Sequence, residues 1–111
     1  MKRRRSEGFL DYVISDLDVH NMQMSFEFDP QKAQTNWRKH RVRFEDAEPV
    51  FDDPMALTRE DPDAADEQRW LTVGSDALGR VLTVCYTLRG DTIRLISARL
   101  ATKKERTPYE S

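Results

Sequence analysis

The stretch from Phe26 to Phe51, FEFDPQKAQTNWRKHRVRFEDAEPVF, constrains the fold more than any other part of the chain. It opens with Phe26–Phe28, a short alternating run that predicts a strand. Asp29 suits a helix N-cap, because its carboxylate can accept from a backbone N–H of the first turn. Pro30 suits the first helical position, where the missing N–H is not needed. The spacing then predicts a helix that stops near His40 or Arg41. Ala33, Trp37 and His40 fall on one side of it with Asn36 beside them, while Lys32, Arg38 and Lys39 occupy the rest of its surface. Val42 and Phe44 lead into a second short helix, favoured at its start by Glu45 and Asp46 through the helix dipole. Phe44, Ala47, Val50 and Phe51 can share an inward face there, and Pro49, beyond the first turn, shortens or kinks the helix. Such a segment offers one face to bury and positive charge next to it, so the remainder of the chain must supply a sheet.

That sheet is legible in outline. Asp52-Asp53-Pro54 ends the second helix, and Met55–Arg59 reads as a strand. Glu60–Gln68 is acidic and without periodicity, an exposed loop. Arg69–Ser75 is a strand, Asp76–Gly79 a turn, and Arg80–Thr87 a central strand, apolar on both faces. Leu88–Asp91 turns through Gly90 into a last strand, Thr92–Arg99. Strands joined by such short turns are antiparallel neighbours. Thr102 and Glu105 form a capping box for a short final helix that Pro108 limits. The expectation is one α+β domain, an antiparallel β-sheet with two N-terminal helices packed on it and a short C-terminal helix. The 111 residues suffice to bury a core without disulfide or metal staples. The lone cysteine, Cys85, lies in an apolar run and reads as a buried thiol.

Residues 1–21 differ from the rest. Phe9, Leu10, Val13, Ile14 and Leu17 make a weak amphipathic pattern after the basic start MKRRR. Asp11 and Asp16 interrupt it, and no small-residue cleavage site follows, so it does not read as a secretory signal. The segment is expected to be a poorly anchored leader or an accessory helix, with Met22 or Met24 as alternative natural starts. No apolar run is long enough to span a membrane as a helix, and nothing contradicts a reducing cytoplasm.

The net charge of −2 argues against general affinity for nucleic acid, but its distribution does not. Lys32, Arg38, Lys39, Arg41 and Arg43 lie in a segment without acidic residues. From Glu45 to Glu67 ten acidic residues face the single Arg59, and from Arg89 to Arg106 basic residues lead again, six to two. If the two basic segments meet in the fold, they form a positive patch that the net charge hides. Otherwise the signs mix into an ordinary solvated surface.

These segments together resemble the BrnT family of bacterial type II toxins. The matching stretches are FEFDPQKAQTNWRKHRVRFEDAEPVFDDP, DEQRWLTVG and VCYTLRGDTIRLISARLATKKERTPYE, within a resemblance that covers Met24 to Glu110. The resemblance implies a RelE-like fold for residues 22–111 and an RNA-cleaving activity, free or ribosome-related, that blocks translation. It also implies a BrnA-type antitoxin whose ribbon-helix-helix part binds operator DNA, so that DNA is reached only through the antitoxin. Three positions depart from the family pattern, the mildest being Phe28, an apolar swap where Trp is commonly found. Arg41 stands where Gly usually ends the first helix with positive φ, at a cost on the order of 1 kcal/mol. Arg43 stands where Ser usually caps the second helix, a loss of about 1 kcal/mol.

RNA cleavage without a metal uses the neighbouring 2′-OH as nucleophile. It needs a base, cations for the phosphate and an acid for the leaving oxygen. No Cys/His or carboxylate cluster at ligand spacing suggests a metal, and no cofactor motif is present. His40 is a candidate base or acid, against a plain reading as a helix-end histidine beside Trp37. Lys39 is a candidate phosphate ligand or base, or else a solvated lysine. Arg99, at the end of the last strand, is a candidate phosphate contact. Tyr109 resembles in location the aromatic residue that RelE-like enzymes stack on a base, and otherwise reads as a core-edge tyrosine. Lys32, Arg38, Arg89, Arg94 and Lys103 are candidate RNA contacts, although Arg89 and Arg94 have the acidic loop as a rival partner. Arg94 and Arg99 are separated by an odd number of residues, so they point to opposite faces of the sheet unless a bulge or the strand end intervenes. Glu105 reads as the capping partner. A rival from another class is a non-catalytic module that tunes a DNA-binding antitoxin.

Overall fold

The computed structural model describes residues 24–111, so the expected leader over 1–21 lies outside the described residues. Five strands form one sheet: β1 (Ser25–Glu27), β2 (Leu57–Glu60), β3 (Trp70–Ser75), β4 (Val81–Arg89) and β5 (Thr92–Leu100), in the order β1-β5-β4-β3-β2. From β2 to β5 the sheet is an antiparallel meander, as the short turns require. β1, however, pairs parallel to β5, with Phe26 opposite Ile93. The sheet is therefore mixed rather than wholly antiparallel. The reason is not local: the orientation of β1 depends on where the helical crossover to β2 lands, at the far edge of the sheet.

That crossover contains α1 (Pro30–His40), α2 (Phe44–Ala47) and a 3₁₀ segment, Glu48–Asp52. Asp29 caps α1 by accepting from the Gln31 N–H at 2.9 Å, with Pro30 in the first turn. Arg38, Lys39 and His40 fill the last turn, where cations suit the negative end of the helix dipole. Arg41 ends the helix in the left-handed conformation at φ 58°, and its N–H donates to the Trp37 carbonyl. It is the one non-glycine with positive φ among the described residues. α2 begins at Arg43 without a side-chain cap and tightens into the 3₁₀ turn at Pro49.

The core lies on the inner face of the sheet. Val42, Phe44, Ala47, Val50 and Phe51 pack there with Leu82, Val84, Tyr86, Ile93, Leu95 and Ala98. Phe51 meets Tyr86 edge-on at 4.9 Å between ring centroids, and Phe28 meets Phe44 at 5.2 Å. The Tyr86 hydroxyl closes a buried chain with Thr72 and Thr58, at 2.7 and 2.8 Å. Gly74 admits the 3₁₀ segment: a Cβ there would sit 3.0 Å from Val50 Cγ1.

One buried residue determines how α1 sits. β1 covers only the start of the β5 edge, Thr92–Arg94. Further along, the Asn36 side chain takes the place of a strand. Its amide nitrogen donates to the Ala98 carbonyl at 2.8 Å and to the Val42 carbonyl at 3.0 Å, and its oxygen accepts from the Ala98 N–H at 3.0 Å. Asn36 thus satisfies backbone groups that would otherwise be buried without partners. It, rather than the Ala33–Trp37–His40 side, supplies the one fully buried residue of α1. Trp37 lies instead under two guanidinium groups, 5.3 Å from Arg41 and 4.6 Å from Arg43.

α3 (Lys103–Glu110) begins with the expected capping box, Thr102 with Glu105. Pro108 does not stop it; the helix runs on to Glu110. Since no helix among the described residues is long and apolar enough, none crosses a membrane.

Candidate nucleic-acid interface on the outer sheet face

The outer face of the sheet carries the polar residues, and a bulge decides which ones. Cys85 pairs with Ser97, but Tyr86 pairs with Leu95, which leaves Ile96 as an extra residue in β5. The extra residue shifts the alternation by one. Arg94 lies opposite Thr87 and Arg99 opposite Thr83, and these two threonines share a face of β4. Both arginines therefore point outward, as do Cys85, Thr87 and Ser97.

Two grooves adjoin at Ile96 and Lys32. The first is lined by Lys32, Thr35, Asn36, Lys39 and His40 of α1, with Ile96 and Ser97 of β5 and Asp29 and Gln31 at its end. Lys39 and His40 are together here because they follow one another at the helix end that Asn36 pins to β5. Neither Lys32 nor Lys39 has an ion-pair partner among the described residues. The second groove is lined by Lys32, Arg69, Thr87, Arg89, Arg94 and Ile96, faced by Asp63, Ala65, Asp66 and Glu67 of the acidic loop. In it Arg89 pairs with Glu67 at 3.1 Å, as its rival reading anticipated, whereas Arg94 pairs at 2.8 Å with Glu27 of the neighbouring strand β1.

Other candidates lie elsewhere. Arg99 is two residues beyond Ser97 on the same face but lines neither groove. Its two terminal nitrogens donate to the two Glu105 oxygens at 2.8 and 2.9 Å. Glu105 also accepts from the Thr83 hydroxyl and the Thr102 N–H. With the guanidinium as the main cause, its carboxyl is pushed down to about 2. Glu105 is accordingly an ionised anchor, as its capping role suggests, and it raises the already high pKa of Arg99. Tyr109 is tied by its hydroxyl to Asp53, whose same oxygen accepts from the Ser75 N–H. Burial first, then the Asp53 bond, pushes the Tyr109 phenol up. Arg38 and Lys103 are exposed and line neither groove. Cys85 is buried, and burial raises its thiol.

Sequence reasoning missed Arg69, Thr87 and Ser97 as groove residues. A threonine or serine in an apolar strand and an arginine at a strand start give no local sign of facing a groove. The bulge hid only the residue on β5: Ser97 shares a face with Arg94 and Arg99 because Ile96 is extra, whereas Arg69 and Thr87 lie on strands it does not touch.

The comparisons with known proteins agree with this architecture. A crystal structure at 1.1 Å resolution of the Brucella abortus ribonuclease toxin BrnT is similar at 26% identity and a TM-score of 0.57. The match covers 73% of this chain and all of that one. No curated protein matches. The family model for the ribonuclease toxin BrnT of type II toxin-antitoxin systems matches residues 28–105. This chain therefore belongs to the BrnT family of ribonuclease toxins of type II toxin-antitoxin systems.

Proposed function

We propose that this chain cleaves RNA at the groove between the end of α1 and β5, without a metal, and thereby inhibits translation. The observation that carries the reading is the pairing of Lys39 and His40 in one groove that continues, through Lys32, into an arginine-lined one. A single strand of RNA has a phosphate at every step, and such a run of cations matches it. The chemistry uses groups of the right type. His40 takes the proton of a 2′-OH, whose oxygen attacks the adjacent phosphorus. The bond to the 5′ oxygen breaks, and that oxygen receives a proton from Lys39. The products are a 2′,3′-cyclic phosphate and a 5′-hydroxyl. Lys32 holds the phosphate charge as it builds.

Arg99 is assigned no step at the groove; Glu105 holds it at the α3 end of the same sheet face. Tyr109 is assigned to packing, since its hydroxyl is engaged with Asp53. Arg38, Arg89, Arg94 and Lys103 supply outer contacts to the strand. A BrnA-type antitoxin neutralises the toxin in the cytoplasm by covering the same surface, and operator DNA is bound only through it.

Incubation of purified protein with single-stranded RNA and a chelator is the direct test. Cyclic-phosphate products are expected. His40→Ala and Lys39→Ala should each lower the rate about 100-fold with the melting temperature unchanged. Full activity of the double variant would remove the site assignment. RNA left intact, with operator binding by the antitoxin sharpened, would instead establish the non-catalytic module.

A further inference from the structure

The arginine-lined groove holds more than surface charge. Thr87 is only 3% exposed, and among the described residues its hydroxyl has no hydrogen-bond partner. The Nε of Arg69, which lines the same groove, is likewise buried without a partner. Buried polar atoms are nearly always paired, so two such atoms on residues that line one cationic groove favour an acceptor-rich ligand. Carboxylates already stand opposite. Both oxygens of Glu67 lie within 3.3 Å of the same Arg89 nitrogen. A carboxylate offers what a phosphate offers there, negative charge and acceptor oxygens only.

The acidic segment is fastened unequally. At its base, Asp61 pairs with Arg69 at 3.2 Å with its side chain only 10% exposed, and its N–H donates to the Arg69 carbonyl at 2.8 Å. Toward its far end the Glu67–Arg89 pair is about half exposed on both sides. Exposed pairs of that kind are weak and screened by salt.

We propose that this groove is a second phosphate subsite for the RNA strand, filled in the free toxin by the Glu67 carboxylate in place of a phosphate. The inference rests on the ribonuclease reading above and adds a regulation to it: the acidic segment competes with substrate, and RNA must displace Glu67 to reach Arg89. Thr87 and Arg69 then supply donors at the floor of the subsite.

The test measures binding of the whole chain to a non-cleavable, single-stranded 2′-O-methyl oligoribonucleotide by fluorescence anisotropy across a salt series. Glu67→Gln should tighten binding about threefold at low salt and steepen the salt dependence, because one more arginine is free to meet a phosphate. Thr87→Val should weaken it about threefold, and Thr87→Ser should restore it, which a purely structural role would not predict. With cleavable RNA, Thr87→Val should raise KM and leave kcat unchanged. Wild-type cleavage combined with identical binding by all variants would overturn this subsite and leave the ribonuclease reading standing. No binding by any variant would sink both. Equal tightening of Glu67→Gln toward an acidic peptide of matched charge would also overturn it, in favour of a protein-binding surface.

Discussion

The two ends of the outer sheet face hold similar residues in opposite states. At the α3 end, Arg99 is clamped by Glu105, Glu105 by Thr83 and Thr102, and Tyr109 by Asp53. At the α1 end, among the described residues, Lys32 and Lys39 have no ion-pair partner, and the Thr87 hydroxyl and Arg69 Nε are buried without hydrogen-bond partners. The same arginine type that looked like the best phosphate ligand in the sequence is thus spent on holding a helix. Lys39 and Lys32, candidates in the sequence for the phosphate and for RNA, are left without an ion-pair partner among the described residues. Charge type locates a surface; partner count separates the part of it that stabilises the fold from the part free to bind.

Three measurements break or sharpen that contrast. The largest effect is expected at Asn36, which belongs to the α1 end yet is itself fully satisfied. Asn36→Ala strips partners from a buried N–H and two carbonyls, and should cost about 3 kcal/mol in chemical denaturation. Because α1 carries Lys39 and His40, RNA cleavage should fall with it. A stable variant with intact activity would show that helix placement does not depend on this link.

Next is Glu105. Its carboxyl is lowered to about 2 in the fold, chiefly by Arg99. A depressed carboxylate pKa stabilises at pH above the unfolded value, near 4.5, and that contribution is lost as pH falls toward 2. Glu105→Gln should therefore cost about 1 kcal/mol at neutral pH, after allowance for solvent screening. The difference from wild type should shrink as the pH drops from 4.5 to 2. A constant difference across that range would mean that the clamp does not act through charge. If freeing Arg99 also strengthens RNA binding, the α3 end carries latent binding capacity as well as stability.

The smallest effect is expected at Arg41, which holds φ 58° beside the groove. Arg41→Gly should raise stability by about 1 kcal/mol by removing the left-handed strain of a residue with a Cβ. Weaker RNA binding of this more stable variant would show that the charge at the helix end was retained for its partner at a cost in stability.

Much of the fold was legible because it is written in local chemistry. Asp29-Pro30 begins α1, Thr102 with Glu105 begins α3, Pro49 breaks α2 into a 3₁₀ turn, and Gly90 turns β4 into β5. In each case the deciding interaction spans a few residues. The misses are of two kinds, one local and one set by distant parts of the chain. Pro108 was expected to limit α3, but the helix accommodates it and continues. The parallel pairing of β1 with β5 is set by a crossover that traverses the sheet.

By itself, the sequence determined the order of elements, the caps, the apolar set that must be buried and the separation of basic from acidic segments. Tertiary structure alone decided which charges remain free. The bulge at Ile96 turned Arg94 and Arg99 to one face, Asn36 fixed α1 against an unpaired strand edge, and Glu105 claimed Arg99. A side chain's availability depends on partners distant along the chain, and alternation carries no record of a single extra residue until the neighbouring strand is in register beside it.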